Sequence, residues 1–305
     1  MASRKRVAES TKAAKNRKKI TKRQKQKRKL IIFGIEVLCL LLLLGVLYVW
    51  SLWDKIDVDT DFGHSDAGIN EDLGDDTLLK LEGYTNIALF GLDNRETGDY
   101  ETGHSDVIMV ASINNKTREV QLVSVYRDTY LSIGNGKFNK ANSAYMKGGP
   151  KQAVQMLNAN MDLNITEYVC VDWAAVVEAI DALGGVEIEV NDAEAKQMMG
   201  CIAELNMVLD MKSPFVSGKD GLQTLNGVQA TAYARVRKTA GNDFKRASRQ
   251  RIVLEAMLNK AKEADISTLL NICNVVFDDI STSLELTEII GLARHVSEYN
   301  IASTT

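Results

Sequence analysis

The sequence lacks several motifs by which common enzyme classes are recognised. It contains no G-x-S-x-G nucleophile elbow and no Walker loop, so it has neither the usual signature of a serine hydrolase nor that of a P-loop nucleotide hydrolase. Histidines number three, and no Cys/His pair has the spacing of a metal site. Only two prolines occur, and no internal repeat is visible. The chemistry must therefore be sought in other residue types.

The four cysteines do not form a disulfide framework. Cys39 lies in a long apolar run, and Cys170, Cys201 and Cys273 follow it. Three thiols cannot all pair, which leaves two readings open: a disulfide between Cys201 and Cys273, or three buried free thiols. The cysteines consequently give no indication of the class of protein.

The net charge of −3 conceals an uneven distribution. Residues 1–30 hold 14 of the 37 Lys and Arg residues and one acid, Glu9, whereas the rest of the chain holds 23 bases and 39 acids. A basic end on an acidic body is typical either of a nucleic-acid-binding arm or of a segment that flanks a membrane. The residues that follow decide between these alternatives.

Residues 31–53 are almost wholly apolar, and aromatic residues lie at their C-terminal end. About 20 apolar residues cross a bilayer as a helix. A signal peptide would have a shorter apolar region followed by a small-residue cleavage site, and no such site follows Trp53. The sequence predicts an uncleaved single-pass transmembrane helix. Because positive charge stays on the cytoplasmic side, residues 1–30 are predicted to be a cytoplasmic tail that binds no nucleic acid.

The remaining residues are expected outside the cell. Residues 54–84 are acidic and rich in small polar residues, which predicts an extracellular stalk. Residues 85–305 are long enough for one domain with its own core. Strands are predicted over 86–92, 107–113, 120–126, 167–171 and 186–190, and helices over 150–160, 173–183, 227–234, 243–265 and 284–299. The predicted fold class is α/β, with a mixed central sheet covered by helices on both faces.

Charged residues cluster at the ends of the predicted strands. Asp93 follows the first strand, Asp106 begins the second, and Arg127 and Asp128 end the third. Each cluster taken alone needs no functional explanation, because a strand that leaves the core commonly ends in charged residues. Asp93 and Asp106 could nevertheless supply the oxygen ligands that Mg²⁺ prefers when it also binds substrate phosphates.

A second concentration of charge occurs late in the chain and is more informative. Arg246, Arg249 and Gln250 fall at positions i, i+3 and i+4 on one face of a predicted helix. Arg235 and Arg237 lie just upstream. Planar guanidinium groups suit bidentate capture of phosphate. Together with the two candidate metal carboxylates, these arginines predict a pyrophosphate site.

The order of these motifs resembles the LytR–CpsA–Psr (LCP) family of cell-wall glycopolymer ligases. The motifs are GLDNR, SD, SVYRD, KFNKANSAYMKGGP, DALGGVEIEV, YARVRK and DFKRASRQR. The resemblance covers about residues 85–260 and extends to the basic tail, the membrane span and the stalk. It implies a long apolar pocket for a polyprenyl tail. It also implies a phosphotransferase of the Gram-positive cell membrane that moves a glycopolymer, such as teichoic acid or capsule, from an undecaprenyl pyrophosphate carrier to peptidoglycan.

The resemblance also implies a role for each candidate residue. Asp93 and Asp106 match the acids that hold Mg²⁺, and with Arg127 they are the candidate catalytic residues. The residues expected to bind the pyrophosphate are Arg95, Arg127, Arg235, Arg237, Arg246 and Gln250. Supporting roles are expected for Asp128, Asp243 and Arg249.

Two departures from the family pattern occur beside these motifs. His104 stands where the family has an arginine, and Tyr126 stands where it has a proline. The first removes one potential phosphate contact, for which Arg95 is a nearby substitute, and leaves the identity of the glycopolymer open. Two other functions also stay open: a membrane-anchored regulator or transcriptional attenuator, and a lipid-pyrophosphate binder that does not transfer.

Overall fold

The computed structural model describes residues 22–93, 100, 103–237 and 242–304. The chain divides into two compact units, residues 1–51 and residues 52–305. Helix α1 (Lys22–Trp53) accounts for the described part of the first. Its segment Lys29–Trp53 has a mean hydropathy of 3.0 and is long and apolar enough to cross a membrane. The residues predicted to span the membrane lie within this segment.

The second unit contains eleven strands among its described residues. They are β1 (Asp57–Val58), β2 (Tyr84–Leu92), β3 (Ser105–Asn114), β4 (Glu119–Ser124), β5 (Tyr130–Ser132), β6 (Phe138–Lys140), β7 (Glu167–Val171), β8 (Val186–Val190), β9 (Gly221–Leu225), β10 (Ile280–Thr282) and β11 (Asn300–Thr304). Its helices are α2 (Asp75–Leu81), α3 (Asn142–Met161), α4 (Trp173–Ala182), α5 (Asp192–Val208), α6 (Gly227–Arg235), α7 (Asn242–Glu263), α8 (Ile266–Val276) and α9 (Leu286–Arg294).

Seven strands form a mixed sheet in the order β1-β10-β7-β2-β3-β4-β11. The pairs β2–β3, β3–β4 and β7–β10 are antiparallel, and the pairs β1–β10, β2–β7 and β4–β11 are parallel. Helices cover both faces of the sheet. Alternate residues of a strand point to opposite faces, so two neighbouring residues of β2 show which helices lie on each side. Phe90 packs in the core that contains Leu157 of α3, whereas Leu89 packs with Leu254 of α7 and Leu292 of α9. The predicted fold class is confirmed.

Besides the two cores on the faces of the main sheet, a third hydrophobic core lies away from that sheet. There β8 and β9 pair with each other alone, and buried residues of α4, α5 and α6 pack on them. The predicted strand 186–190 therefore belongs to a separate two-stranded antiparallel sheet. Helix α6 begins close against α4: a Cβ atom on Gly227 would lie 2.1 Å from the carbonyl oxygen of Val177, so only glycine fits there.

The segment predicted as a stalk, residues 54–84, contributes to the domain over part of its length. β1 extends the main sheet beside β10, and the Tyr168 hydroxyl donates a hydrogen bond to Asp59 at 2.9 Å. Phe62 and Ala67 are buried in the core beneath α3. Apolar residues spaced among the acids thus occupy core positions, which the acidic composition of the segment does not reveal.

Candidate active site

Four strand ends meet at one edge of the main sheet. Strands β2, β4 and β7 run in the same direction, and the antiparallel β3 begins where they end. Asp93 directly follows β2, Asp106 is the second residue of β3, and Arg127 lies three residues beyond β4. The backbone N–H of Asp93 donates to the carbonyl oxygen of His104 at 3.3 Å. The topology therefore brings acids from two strands and an arginine from a third to one place.

Asp106 is the centre of an arginine cluster. Its side chain is only 8 % exposed, and its two oxygens accept hydrogen bonds at 2.6 Å from Arg127 Nη1 and Arg237 Nη2. Arg246 Nη1 lies 3.7 Å from Asp106 Oδ2, and Arg246 Nη2 donates to the Asp106 carbonyl at 3.3 Å. One carboxylate thus contacts three guanidinium groups that would otherwise repel one another.

Arg235 is held beside Asp93 by a tryptophan and a second acid. Trp173 Nε1 donates to Asp93 Oδ1 at 2.8 Å, and the Arg235 guanidinium lies 5.0 Å from the centroid of the Trp173 ring. Arg235 Nη2 lies 3.2 Å from Glu204 Oε2 and 3.9 Å from Asp93 Oδ1. Stacking on the ring and pairing with Glu204 fix the direction of this guanidinium.

These residues line a polar cavity of about 180 Å³. Its walls are Asp93, Asp106, Trp173, Cys201, Arg235, Arg237, Arg246 and Gln250. Several guanidinium groups in one small cavity suit an anion that offers many oxygen acceptors, such as a phosphate or pyrophosphate.

An apolar cavity of about 250 Å³ adjoins the polar one. It lies between strands β2, β3 and β7 and helices α4, α6 and α7, and residues such as Met109, Val176 and Val253 line it. Trp173 and Gln250 line both cavities. The charged chamber therefore continues directly into a hydrocarbon-lined one, which is the arrangement that a ligand with an anionic head and an apolar tail requires.

Most of the predicted site residues come together here. Asp93, Asp106, Arg235, Arg237, Arg246 and Gln250 line the polar cavity, and Arg127 reaches it through Asp106. Arg95 lies outside the described residues. Asp243 belongs to α7, but its side chain is likewise outside the described part. The functional roles of these residues stay predictions.

Asp128 and His104, which the sequence placed beside the site motifs, are not among the residues that line either cavity. Asp128 Oδ1 lies 2.7 Å from Lys140 Nζ, and Asp128 Oδ2 lies 3.8 Å from Arg127 Nε. The hydrogen bond from Lys140 is the main cause that lowers the pKa of Asp128. Asp128 therefore bridges the start of the β5–β6 hairpin to Arg127. His104, which replaces the family's arginine, is exposed.

Arg249 turns away from the polar cavity, although its spacing placed it on the face of Arg246 and Gln250. Its Nε atom lies 2.9 Å from Glu194 Oε1, and its Nη1 donates to the carbonyl oxygen of Val236 at 3.2 Å. Both side chains of the pair are largely buried. Arg249 thus ties α7 to α5 and holds the residue between Arg235 and Arg237, which agrees with a supporting position.

We expect Arg249→Met to lower the free energy of unfolding by about 3–5 kcal/mol, because it leaves the Glu194 carboxylate buried without this partner. Chemical denaturation of the detergent-solubilised chain measures the change. Adding Glu194→Met to the same chain should recover much of the loss, since the double variant buries no unpaired charge. A single variant as stable as the wild type would show that the pair does not hold the helices together.

Three residues at the site were missed by sequence reasoning. Trp173 is the first residue of α4 and lies two residues beyond the end of β7. The available signal was this position, where the chain leaves the core at a strand end. Cys201 and Glu204 lie on α5, whose periodicity did not predict a helix. The capping box of Asn191 and Glu194 was the signal for that helix. Burial raises the pKa of Cys201, and all four cysteines are free, so the Cys201–Cys273 disulfide is not formed.

Comparison with known proteins gives three findings. A model of the LytR_cpsA_psr family matches residues 58–305. The chain is 29 % identical over 267 residues to the polyisoprenyl-teichoic acid–peptidoglycan teichoic acid transferase TagU of Bacillus licheniformis, covering 86 % of this chain and 80 % of that protein. Its identity to the TagU of Bacillus subtilis is 27 % over 292 residues, covering 92 % and 89 % of the two chains. A solved structure of TagT bound to LI-WTA has a similar fold, with a TM-score of 0.59 and 22 % identity over 82 % of this chain and 85 % of that one.

Proposed function

The chain belongs to the LytR_cpsA_psr family, and on that premise we propose that it transfers a glycopolymer from a polyprenyl pyrophosphate carrier to peptidoglycan. The names of the TagU relatives support this reaction class, because they describe transfer of a polyisoprenyl-linked teichoic acid to peptidoglycan. The polymer that this chain carries is left open.

The observation that carries the proposal is the junction between the two cavities. Trp173 and Gln250 line both of them, so a pyrophosphate among the arginines would have its tail beside the apolar walls. Neither cavity alone distinguishes a lipid carrier from a free phosphate or a fatty acid. The combination fits a phosphorylated isoprenoid.

The proposed reaction is a displacement at the phosphorus atom that carries the sugar. A peptidoglycan hydroxyl oxygen forms the new P–O bond, and the bond between that phosphorus and the bridging oxygen breaks with its electron pair staying on the oxygen. Polyprenyl phosphate leaves, and the hydroxyl's proton passes to it or to water. Such transfers depend mainly on positioning and on neutralising charge. Arg235, Arg237 and Arg246 would hold the phosphate oxygens, while Arg127 and Asp106 would keep that cluster in place.

We further propose Mg²⁺ as the cofactor. Asp93 and Asp106 both line the polar cavity, and in the described part of the chain no third His, Cys, Asp or Glu joins them to form a larger metal-binding group. Mg²⁺ is commonly held by one or two carboxylates together with substrate phosphates and water, so this pair fits an ion that arrives with the pyrophosphate. When bound, the ion would neutralise charge on the phosphate oxygens.

We propose that α1 anchors the enzyme in the cell membrane with its N-terminus in the cytoplasm and residues 54–305 outside. The basic tail and the apolar segment Lys29–Trp53 support this orientation. Protease applied to intact cells should then remove residues 54–305. Protection of that region would instead favour an internal regulatory role.

The reaction itself is tested with purified full-length chain, undecaprenyl-pyrophosphate-linked polymer and peptidoglycan. We expect polymer to appear on the peptidoglycan and polyprenyl phosphate to be released in equal amount, both dependent on Mg²⁺. Tight binding of the donor without either product would identify a lipid-pyrophosphate binder that does not transfer.

Filling the apolar cavity should discriminate between carriers of different length. Met257 lies seven residues beyond Gln250 on α7, about 10 Å further from the junction along the helix. We expect Met257→Trp to weaken binding of undecaprenyl pyrophosphate at least tenfold while leaving geranyl pyrophosphate unaffected, because only the long tail passes that depth. Titration calorimetry measures both affinities.

The matched control is Ile252→Trp, on the same helix but not among the residues that line this cavity. It should change neither affinity. Equal binding of the long carrier by Met257→Trp and the wild type would contradict the assignment of the cavity to the tail.

A further inference from the structure

The hairpin formed by β5 and β6 carries an exposed pair of stacked aromatic rings. Tyr130 is 70 % exposed and Phe138 is 58 % exposed. Their ring centroids lie 5.9 Å apart with an interplanar angle of 24°. The two rings therefore present an extended apolar surface to solvent. A contiguous exposed apolar patch of this kind commonly marks a binding surface, whereas single exposed apolar residues do not.

The hairpin is held firmly against the domain. The backbone N–H of Ser132 donates to Asn160 Oδ1 at 3.1 Å, and Asn160 Nδ2 donates to the Ser132 carbonyl at 2.8 Å. Gln152 Nε2 donates to the carbonyl oxygen of Ile133 at 2.6 Å, and Ile133 is fully buried. The two rings are thus presented on an anchored support, which reduces the entropy that a ligand must overcome on binding.

The hairpin begins at the rim of the candidate active site. Arg127, which contacts Asp106, precedes Tyr130 by three residues. Lys140 lies opposite Tyr130 in the hairpin and pairs with Asp128 at 2.7 Å. A turn closed by the hydrogen bond from the Thr129 N–H to the Tyr126 carbonyl oxygen, at 2.8 Å, separates Arg127 from Tyr130.

A third exposed ring lies beside the same arginine. Phe244 of α7 is 69 % exposed and packs edge to face against Tyr126, the residue before Arg127, with ring centroids 4.6 Å apart. Four aromatic side chains are strongly exposed in the described part of residues 52–305. Three of them are close to Arg127: Tyr130 follows it by three residues, Phe138 stacks on Tyr130, and Phe244 packs against the preceding Tyr126. The fourth, Phe215, lies between α5 and β9.

We propose that Tyr130 and Phe138 form a docking platform for the acceptor glycan strand, an inference that rests on the transferase function proposed above. One face of a pyranose ring presents C–H groups that stack on aromatic rings, and the ring's equatorial hydroxyls need polar partners at the edge. The Asp128–Lys140 pair supplies a carboxylate acceptor and an ammonium donor at that edge.

The platform fits the acceptor better than the donor. The donor is already held by its pyrophosphate and its tail in the two cavities. The acceptor has to be held by a surface outside them. Attacking and leaving oxygens are roughly in line in phosphoryl transfer, so the acceptor approaches on the side away from the departing polyprenyl phosphate. The hairpin continues from Arg127, which is not among the residues that line the apolar cavity where that product's tail would lie.

The test uses the full-length chain in detergent and its variant Tyr130→Thr/Phe138→Thr, in which the β-branched threonine preserves a high strand propensity in both strands. Co-sedimentation with peptidoglycan sacculi stripped of attached polymer measures acceptor binding, and calorimetry measures the affinity for undecaprenyl pyrophosphate. We expect sacculus binding to weaken about tenfold, the scale of losing a central aromatic contact, with undecaprenyl pyrophosphate affinity unchanged. The matched control Phe215→Thr removes an exposed ring elsewhere and should bind sacculi like the wild type.

Several results would overturn the proposal. They are equal sacculus binding by the double variant and the wild type, absence of sacculus binding by the wild type, and an equal loss in Phe215→Thr. A loss confined to vesicles of anionic lipid would assign the rings to the membrane, and a loss confined to the lipid-linked polymer would assign them to the donor. The transferase function fails separately, when the wild type yields neither polymer-bearing peptidoglycan nor polyprenyl phosphate.

Discussion

Arg246→Lys is expected to reduce the rate of polymer transfer more than a hundredfold while leaving the net charge unchanged. Arg246 is 5 % exposed, lines the polar cavity and contacts both the carboxylate and the backbone carbonyl of Asp106. A lysine ammonium is a single point of charge and cannot keep those contacts while also reaching a phosphate. Loss of one preorganised donor typically costs about 10²–10³ in rate. Steady-state transfer and undecaprenyl pyrophosphate affinity measure the effect.

The neighbouring residue provides the control for this change. Lys245 is exposed and is not among the residues that line either cavity, so Lys245→Ala should be nearly neutral even though it removes a positive charge. Lysine at Arg127 or Arg235 should resemble lysine at Arg246, because each of these guanidinium groups is also held in a defined direction. Wild-type turnover in all three lysine variants, or a larger loss in Lys245→Ala, would place the active site elsewhere.

Asp106→Asn is expected to lower both activity and stability, whereas Asp93→Asn should lower activity alone. Removing the Asp106 charge leaves the guanidinium groups of Arg127, Arg237 and Arg246 without the carboxylate that holds them together. Breaking a buried pair in this way costs about 3 kcal/mol or more. The Asp93 side chain is 42 % exposed, so its neutralisation strands no buried partner. Thermal unfolding and the Mg²⁺ dependence of transfer separate the two effects.

The two asparagine variants are each other's control. Transfer in Asp93→Asn should fall at least a hundredfold, and its remaining activity should need more Mg²⁺ than the wild type. Wild-type Mg²⁺ dependence in that variant would remove Asp93 from the proposed metal site. An Asp106→Asn variant with an unchanged unfolding temperature would mean that other contacts hold the arginines in place.

The central strands of the sheet could be predicted because core lies on both faces of the sheet, which makes these strands nearly continuous apolar runs. The runs around Ala88, Val110 and Leu122 are apolar and rich in β-branched residues, and the structure places a strand at each. The family resemblance is confirmed as well. Strands β1, β10 and β11 were not predicted, since β1 and β10 have only two and three residues and β11 (NIAST) is mostly small and polar.

Helix α5 shows why periodicity alone was insufficient. Its sequence mixes alanine, methionine and charged residues around most of the helix, because the buried positions Met198 and Ile202 pack in the core of a two-stranded sheet and not on a broad one. Two site residues, Cys201 and Glu204, were missed with it. The predicted helix 284–299 likewise ends at Arg294, and the chain then returns to the sheet as β11.

The candidate site could be predicted as a set of charges but not as a geometry. The strand-end acids and the late arginines were identified from their residue types, and five of them line one cavity together with Gln250. The sequence could not indicate that Asp106 would bind several arginines, or that Arg249 would pair with Glu194 instead of facing the ligand. Those contacts join residues 21 to 140 positions apart, and no local pattern encodes them.

The junction of the two cavities at Trp173 and Gln250 has a consequence for the steady-state rate of the proposed reaction. In the proposed reaction the donor and the spent polyprenyl phosphate carry the same tail, so the contacts with the apolar walls survive the chemistry. Moving one CH₂ from these walls into water costs about 0.8 kcal/mol, so the spent carrier would have a long residence time unless its tail passes directly into lipid. Its departure, like product release in many enzymes, would then limit the rate. A fast first turnover would be followed by a slow phase, governed by how readily the surrounding lipid extracts the spent carrier.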